Sequence, residues 1–433
     1  MIPGKAEDIA PADGLKRTRM RNPLGGVRFR LSAGSGPISV EDYRAAARRK
    51  LPAMVWAYVE GGAEDRVSLS ENRAAFSRWA FRPRVLTGNE GKDLATKLGP
   101  VSLNLPVLLA PTGTTGLSHW TGELGAAQAA ERAGTRAVIS SAACYTPEEI
   151  AEGTAEDHFF QLYPWSNPAT GARGLTETMI RRAHDAGFAG LVVTVDVSVH
   201  GNRELEKRRG MGAPPMLTPG RVLDAMRKPR WTYNFLRHQR IAPLLMVGND
   251  PSANAVAAAR RLLRLMRPEL DWDDFAWMRE VWPDRPLYIK GVLHPDDAAR
   301  AVELGADGVV VSNHGGRQLD GTQATLDALP PIVERVAGSV PVILDGGIRR
   351  GSDVVKALCL GATAVAIGRP YLYGLAADGP AGVEGVLGIL REEIQRTLTL
   401  LGCKSINDLS RAHLVPAAAA ALCWRDAGPA GGP

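Results

Sequence analysis

The chain has 433 residues, 45% of them hydrophobic and 23% charged, with a net charge of +6. That is globular composition with ample material for a large core, and no apolar run reaches the roughly 20 residues of a membrane span. Cys144, Cys359, Cys403 and Cys423 lie far apart without a CxxC pair, which argues against a zinc site or a disulfide framework, and the basic balance favours anionic partners while the lack of one long basic block argues against nucleic acid.

Residues 1–38, with "GLKRTRMRNPLGG", show no helical period and read as a flexible extension, a subunit or membrane contact being the alternative. No apolar signal core stands at the N-terminus, so a cytoplasmic protein is expected, with peripheral contact at the inner face of a membrane as a second expectation. From Ser39, "SVEDYRAAARRKLPAMVWAYVEGGAED" predicts a helix. Ser39 and Asp42 suggest a capping box, and Gly61–Gly62 stop the pattern.

A unit then recurs. "PVLLAPTG" (106–113), "AVISS" (137–141), "FFQLY" (159–163), "LVVTVD" (191–196), "PLYIKG" (286–291), "GVVVSNH" (308–314), "PVILDGG" (341–347) and "AVAIGR" (364–369) are apolar runs ending in small or polar residues, most followed by a helical segment. Continuous apolar strands alternating with helices indicate a parallel sheet buried on both faces. Eight in series predict a (β/α)₈ TIM barrel with an N-terminal helical segment, whose chemistry sits at the C-terminal strand ends. A doubly wound sheet is the competitor, but "APTGTTG" (110–116) is not its GxGxxG fingerprint. The barrel is expected over 39–414, with a long insertion (204–285) after the fourth strand and a tail at 415–433. Within the insertion, "DWDDFAWMREVW" (271–282) predicts a helix, and the basic, aromatic stretch 225–250 reads as a lid, a subunit contact or a membrane-surface segment.

The strand ends carry the chemistry. "LDGGIRRG" and "IGRP" close the seventh and eighth strands, where barrels commonly hold phosphate. Glycines let backbone N–H groups approach an anion, and Arg349 and Arg369 can add charge-assisted hydrogen bonds. Lys290 is a cation at the barrel mouth that suits the pyrimidine edge of a reduced flavin, or else pairs with a barrel carboxylate. His314 and Arg317 flank two glycines: an imidazole suits proton transfer and a guanidinium grips a carboxylate. Asp196 could orient the imidazole, and Arg203 could supply a second cation.

"SNHGGRQLDG", "LDGGIRRGSDVVKALCLGA" and "IGRPY" resemble the FMN-dependent L-2-hydroxy acid oxidase and dehydrogenase family, which includes glycolate oxidase, lactate oxidase and dehydrogenase, and mandelate dehydrogenase. The likeness runs from about residue 39 to 414 and takes in "LPAMVWAYVEGGAED", "NRAAFSRWAFRPRVL", "FFQLY" and "TVD". It implies oxidation of an L-2-hydroxy acid, lactate-like or larger, to the 2-oxo acid, with flavin N5 taking the electrons. It further implies His314 as base with Asp196 as its partner, and Arg317 and Arg203 on the substrate carboxylate. Tyr58 and Tyr163 would place hydroxyls near that carboxylate and the reacting oxygen. Thr112, Gly113, Ser140, Gln161, Thr194 and Ser312 would line the flavin, with Lys290 at its N1 and O2 edge. Asp345 would take the ribityl chain, and Gly347, Arg349, Gly368 and Arg369 the phosphate. The electron acceptor is a quinone, a protein or dioxygen, and a homotetramer or larger homo-oligomer is implied.

Three positions depart from the family pattern. Gly113 stands where many members have Ala and several dehydrogenases have Gly, which bears on oxygen reactivity. Ala142 stands where short-chain oxidases often place an aromatic, which implies a roomier pocket. "TVDVSVHGNRELEKR" has Asn202 for a basic residue and an extra imidazole, His200. That stretch also resembles the peptide-modifying branch that matures mycofactocin, although the branch lacks the arginine at position 317. Another flavin-dependent phosphate-binding barrel, such as an isomerase, and a flavin-binding scaffold without activity are the remaining alternatives.

Overall fold

The structure, a computed structural model, describes residues 36–88, 91–166, 171–212, 215–241, 265 and 267–417. Most of the expected N-terminal extension and C-terminal tail, and residues 242–264 of the insertion, lie outside the described residues.

Eight parallel strands organise the rest: β1 (Val107–Leu109), β2 (Val138–Ser140), β3 (Phe159–Leu162), β4 (Gly190–Thr194), β5 (Leu287–Val292), β6 (Gly308–Val311), β7 (Val342–Asp345) and β8 (Ala364–Ile367). From β2 to β8 each pairs with the next, β8 pairs back with β1, and between β1 and β2 a single parallel bridge from Leu109 to Ala137 closes the ring. Helices such as Gly122–Arg132, Pro295–Glu303, Thr325–Val336 and Gly351–Cys359 return the chain between strands.

Alternation along each strand divides the core in two. Leu108, Val138, Phe159, Val192, Tyr288, Val310, Ile343 and Ala366 fill the barrel, while Leu109, Phe160, Leu191, Ile289, Val309, Leu344 and Val365 meet the helices. Both faces are covered, which is why the strands read as near-continuous apolar runs. A hairpin of Thr96–Leu98 and Val101–Leu103 sends Leu98, Val101 and Leu103 into the inner cluster, so apolar side chains plug the N-terminal end.

Two local details differ from the sequence expectation. The helix from Ser39 is two helices, Val40–Lys50 and Ala53–Glu60. Pro52 breaks it: proline brings no N–H and pushes the preceding residue out of the helical region, and Leu51 is extended at φ −87, ψ 145. The Ser39 hydroxyl does accept the Asp42 N–H at 3.2 Å. The Asp42 carboxylate, however, takes the Ile38 N–H at 3.0 Å and the Ser39 hydroxyl at 2.9 Å rather than the Ser39 N–H, so the reciprocal half of the box is shifted by one residue.

The insertion contains the helices Glu204–Arg208, Pro219–Met226 and Pro229–His238 before the expected helix at Trp272–Val281. It is fastened to the barrel mouth. Trp231 Nε1–H donates to Leu117 O at 2.7 Å, Arg240 pairs with Glu149 at 2.8 Å, and Asp224 accepts the Ala53 N–H at 2.7 Å. No residue of Pro219–Met226 or Pro229–His238 is buried.

Candidate active site

The site begins where β6 ends. Asn313 and Asn72 exchange amide hydrogen bonds at 2.7 and 2.9 Å, and Asn313 Oδ1 also accepts the Gly316 N–H at 3.1 Å. Between them the chain reverses through three left-handed residues, His314 (φ 58), Gly315 (φ 66) and Gly316 (φ 69). Glycine is needed at the last, where a Cβ would stand 2.5 Å from Leu69 N. A left-handed histidine is uncommon and is held here by the clamped turn around it.

That turn aims the His314 ring into the barrel mouth. Nδ1 lies 3.0 Å from Asp196 Oδ1, and Nε2 lies 3.3 Å from the Tyr163 hydroxyl. Asp196 reaches the ring because β5 gives way at Gly291 (φ 106), where a Cβ would stand 2.6 Å from the Asp196 side chain. Burial lowers the His314 pKa below the ordinary imidazole range, with Asp196 opposing and Lys290 and Arg203 adding to the fall. Burial works against the Asp196 carboxylate, but His314 and Lys290 outweigh it and hold its pKa below the usual carboxylate value. Neutral imidazole beside ionised carboxylate follows at neutral pH.

Lys290, also buried, donates to Ser312 Oγ at 2.9 Å and lies 3.2 Å from Asp345 Oδ2. The sequence left flavin charge and barrel ion pair open for this lysine, and it makes the pair while still facing the cleft. Burial disfavours its charge, but Asp345 and Asp196 prevail and raise its pKa, so it stays cationic.

Arg317 donates through Nη1 to Tyr58 O at 2.8 Å and Gly61 O at 3.0 Å, and through Nη2 to Glu206 Oε1 at 2.9 Å. Arg203 donates through Nε to Arg317 O at 3.3 Å and through Nη2 to Gln318 Oε1 at 3.2 Å. Burial, then the nearby Arg317, push the Arg203 pKa down to about 10. The Tyr58 hydroxyl donates to Gly113 O at 2.8 Å, so its proton is directed to the first-strand loop.

The far end of the cleft fits a phosphate-bearing group. Gly346 (φ 95) and Gly347 (φ 80) turn the chain after β7. Arg369 anchors on Gly315 O at 3.0 Å and Gly61 O at 2.6 Å. Asp345 Oδ1, Arg349 Nε and Arg369 Nε are buried without a hydrogen-bond partner. An acceptor and two donors left unmet beside a glycine turn suit a ligand with hydroxyls and an anionic end.

The residues singled out in the sequence converge. Tyr58, Thr112, Gly113, Tyr163, Arg203, Lys290, His314, Arg317, Asp345, Gly347, Arg349, Gly368 and Arg369 line a single cleft with about 250 Å³ of free volume. Ser140, Gln161, Thr194 and Ser312 do not line it. They are buried beneath: Ser140 donates to Gln161 and Gln161 to Thr194, both at 2.9 Å, across β2, β3 and β4, while Ser312 Oγ accepts from Lys290 at 2.9 Å and from the His314 N–H at 3.0 Å. Glu206 and Trp165 are site neighbours that sequence reasoning missed: one sits in the charged run "RELEKRR", and the other stacks on Tyr163 at 5.2 Å. Among the described residues no cluster could hold a metal ion.

Residues 47–416 match the family described as FMN-dependent dehydrogenase. The chain belongs to that family. It is 40% identical over 388 residues to an L-lactate oxidase of Nostoc sp., covering 89% of this chain and all of the relative. It is 39% identical over 376 residues to the (S)-mandelate dehydrogenase of Pseudomonas putida, covering 87% and 93%. A crystal structure titled monotopic membrane protein (S)-mandelate dehydrogenase superposes with a TM-score of 0.83 at 38% identity, covering 88% of this chain and all of the other. The protein is therefore an FMN-dependent oxidoreductase acting on 2-hydroxy acids. The peptide-modifying, isomerase and inactive-scaffold readings are not favoured. The unmet polar atoms of Asp345, Arg349 and Arg369, beside the turn at Gly347, fit the ribityl and phosphate parts of FMN.

Proposed function

We propose that the chain oxidises an L-2-hydroxy acid with a side chain larger than methyl, aromatic ones included, with His314 as the base. The observation that carries this is the Asp196–His314–Tyr163 line beside two arginines. Asp196 holds the proton on Nδ1 and leaves the Nε2 lone pair towards the cleft. His314 takes the substrate proton there, and Asp196 stabilises the imidazolium that results. The bonds made by Arg317 leave its Nε–H and one Nη2–H for a substrate carboxylate, and Arg203 adds a second cation. Tyr163 can donate to the reacting oxygen. FMN, when bound, supplies the two-electron acceptor that an alcohol-to-carbonyl oxidation requires. Replacing His314 by Gln and following anaerobic bleaching of the flavin by L-mandelate tests the assignment: undiminished bleaching refutes it.

Side-chain size rests on Ala142, which lines the cleft with Trp165 and Val197. The acceptor rests on Gly113, in keeping with a dehydrogenase that passes electrons to a quinone or protein and reacts poorly with dioxygen.

A peripheral membrane location belongs to the same reading. The insertion exposes Met216, Leu217, Val222, Leu223, Met226, Tyr233 and Leu236 amid Arg221, Arg227, Lys228, Arg230 and Arg237. Apolar side chains ringed by cations suit an anionic bilayer surface. Among the described residues no helix is long and apolar enough to cross a membrane.

A further inference from the structure

We propose that Glu206 is a positioning residue that holds the Arg317 guanidinium with its free edge turned into the cleft. The inference rests on the carboxylate-binding role given to Arg317 above.

Glu206 lies in the short helix Glu204–Arg208, in a run where every other charged side chain from Glu204 to Arg209 is at least partly exposed. Its own side chain is 9% exposed and reaches Arg317 Nη2 at 2.9 Å. A carboxylate is not withdrawn from water without a partner, and this one has a single hydrogen-bonded cation, itself 14% exposed. Gly61 is part of the same arrangement: its carbonyl takes Arg317 Nη1 at 3.0 Å, and a Cβ on it would stand 3.3 Å from Glu206 Oε1.

The Arg317 guanidinium is thus fixed on three sides, by Tyr58 O, Gly61 O and Glu206. The two carbonyls hold Nη1 alone, so the planar group can still swing about that point through the Cγ–Cδ and Cδ–Nε torsions unless Nη2 is held as well. Glu206 makes that second attachment. It also sets one negative charge against the two cations, Arg203 and Arg317, that lie side by side here and oppose each other electrostatically. A guanidinium held in one plane offers a fork to a carboxylate, whereas one free to turn offers a single donor at a time.

The FMN-loaded full chain tests this with three variants and two probes. The probes are the L-mandelate dependence of anaerobic flavin bleaching and the dissociation constant of phenylglyoxylate, read from the flavin spectrum. Glu206→Met keeps the volume and removes the acceptor. It should raise both the half-saturating L-mandelate concentration and the phenylglyoxylate constant about tenfold or more, as loss of a charge-assisted hydrogen bond implies, while the limiting bleaching rate changes less than about threefold. Glu206→Gln returns an oxygen to the same place and should recover most of that loss. Unchanged constants in Glu206→Met, a fall in limiting rate alone, or no recovery in Glu206→Gln would overturn the role. If Glu206→Met loses its flavin, Glu206→Gln decides: constants as weak as those of Arg317→Lys contradict positioning, and constants clearly tighter support it. Arg317→Lys separates the two claims. Unaltered phenylglyoxylate affinity there removes the carboxylate reading itself, whereas weakening in Arg317→Lys without weakening in Glu206→Met removes only Glu206.

Discussion

His314 carries the account at the scale of single residues, and its charge state follows from its surroundings. Burial lowers its pKa, so the neutral, proton-accepting form persists below the usual imidazole range. The limiting rate of flavin bleaching should therefore stay level through neutral pH and fall only in acid, as the ring protonates; a rate that rises steadily above pH 7 contradicts this. His314→Gln should keep the yellow cofactor and lose about 10²–10⁴-fold in that rate, the range for a missing general base. At Ala142, substitution by Trp should penalise L-mandelate by about 1–3 kcal/mol per methylene-sized change and spare L-lactate, a reversal read from the two specificity constants. A Cβ on Gly113 would stand 3.0 Å from Ala142 Cβ, so the two positions share one small volume. Most of these residues were legible in the sequence because each ends an apolar run. Glu206 was not: its partner lies 111 residues away, and nothing in "RELEKRR" marks one charge as buried. Nor was the fate of Ser140, Gln161 and Thr194, whose mutual hydrogen bonds depend on which strands adjoin.

The barrel strands were the most legible elements because burial on both faces leaves them mostly apolar, with the few polar residues, such as Gln161 and Lys290, towards their C-terminal ends. Helix ends were less so, since the Pro52 break lay inside one amphipathic pattern. The insertion showed its composition but not its attachment. The anchor from Trp231 to Leu117 spans 114 residues and has no local signature. The helices Pro219–Met226 and Pro229–His238 expose Leu223 at 49% and Leu236 at 65%, which nothing among the described residues covers. Changing both leucines to Glu should abolish co-sedimentation with phosphatidylserine vesicles while flavin bleaching by L-mandelate is retained. Equal sedimentation of the changed and original chains contradicts the bilayer contact.

For the whole molecule, ring closure does the assembling. Asp196 follows β4, His314 follows β6 and the glycine turn follows β7, and only a closed parallel ring brings these ends to one mouth. The hairpin at 96–103 plugs the other end, so among the described residues the cleft opens at the C-terminal ends of the strands. A diffusible acceptor would enter by that mouth. Mixing the substrate-reduced enzyme with air-saturated buffer should reoxidise it slowly, and a quinone should do so quickly; the opposite order marks an oxidase. The central claim is stereospecific hydroxy acid oxidation with His314 as base. Anaerobic stopped-flow of the FMN-loaded chain against L- and D-mandelate, with His314→Gln alongside, tests it most directly. Rapid bleaching by the L form alone, lost in the variant, is the predicted result; bleaching by both enantiomers, by neither, or undiminished in His314→Gln contradicts it.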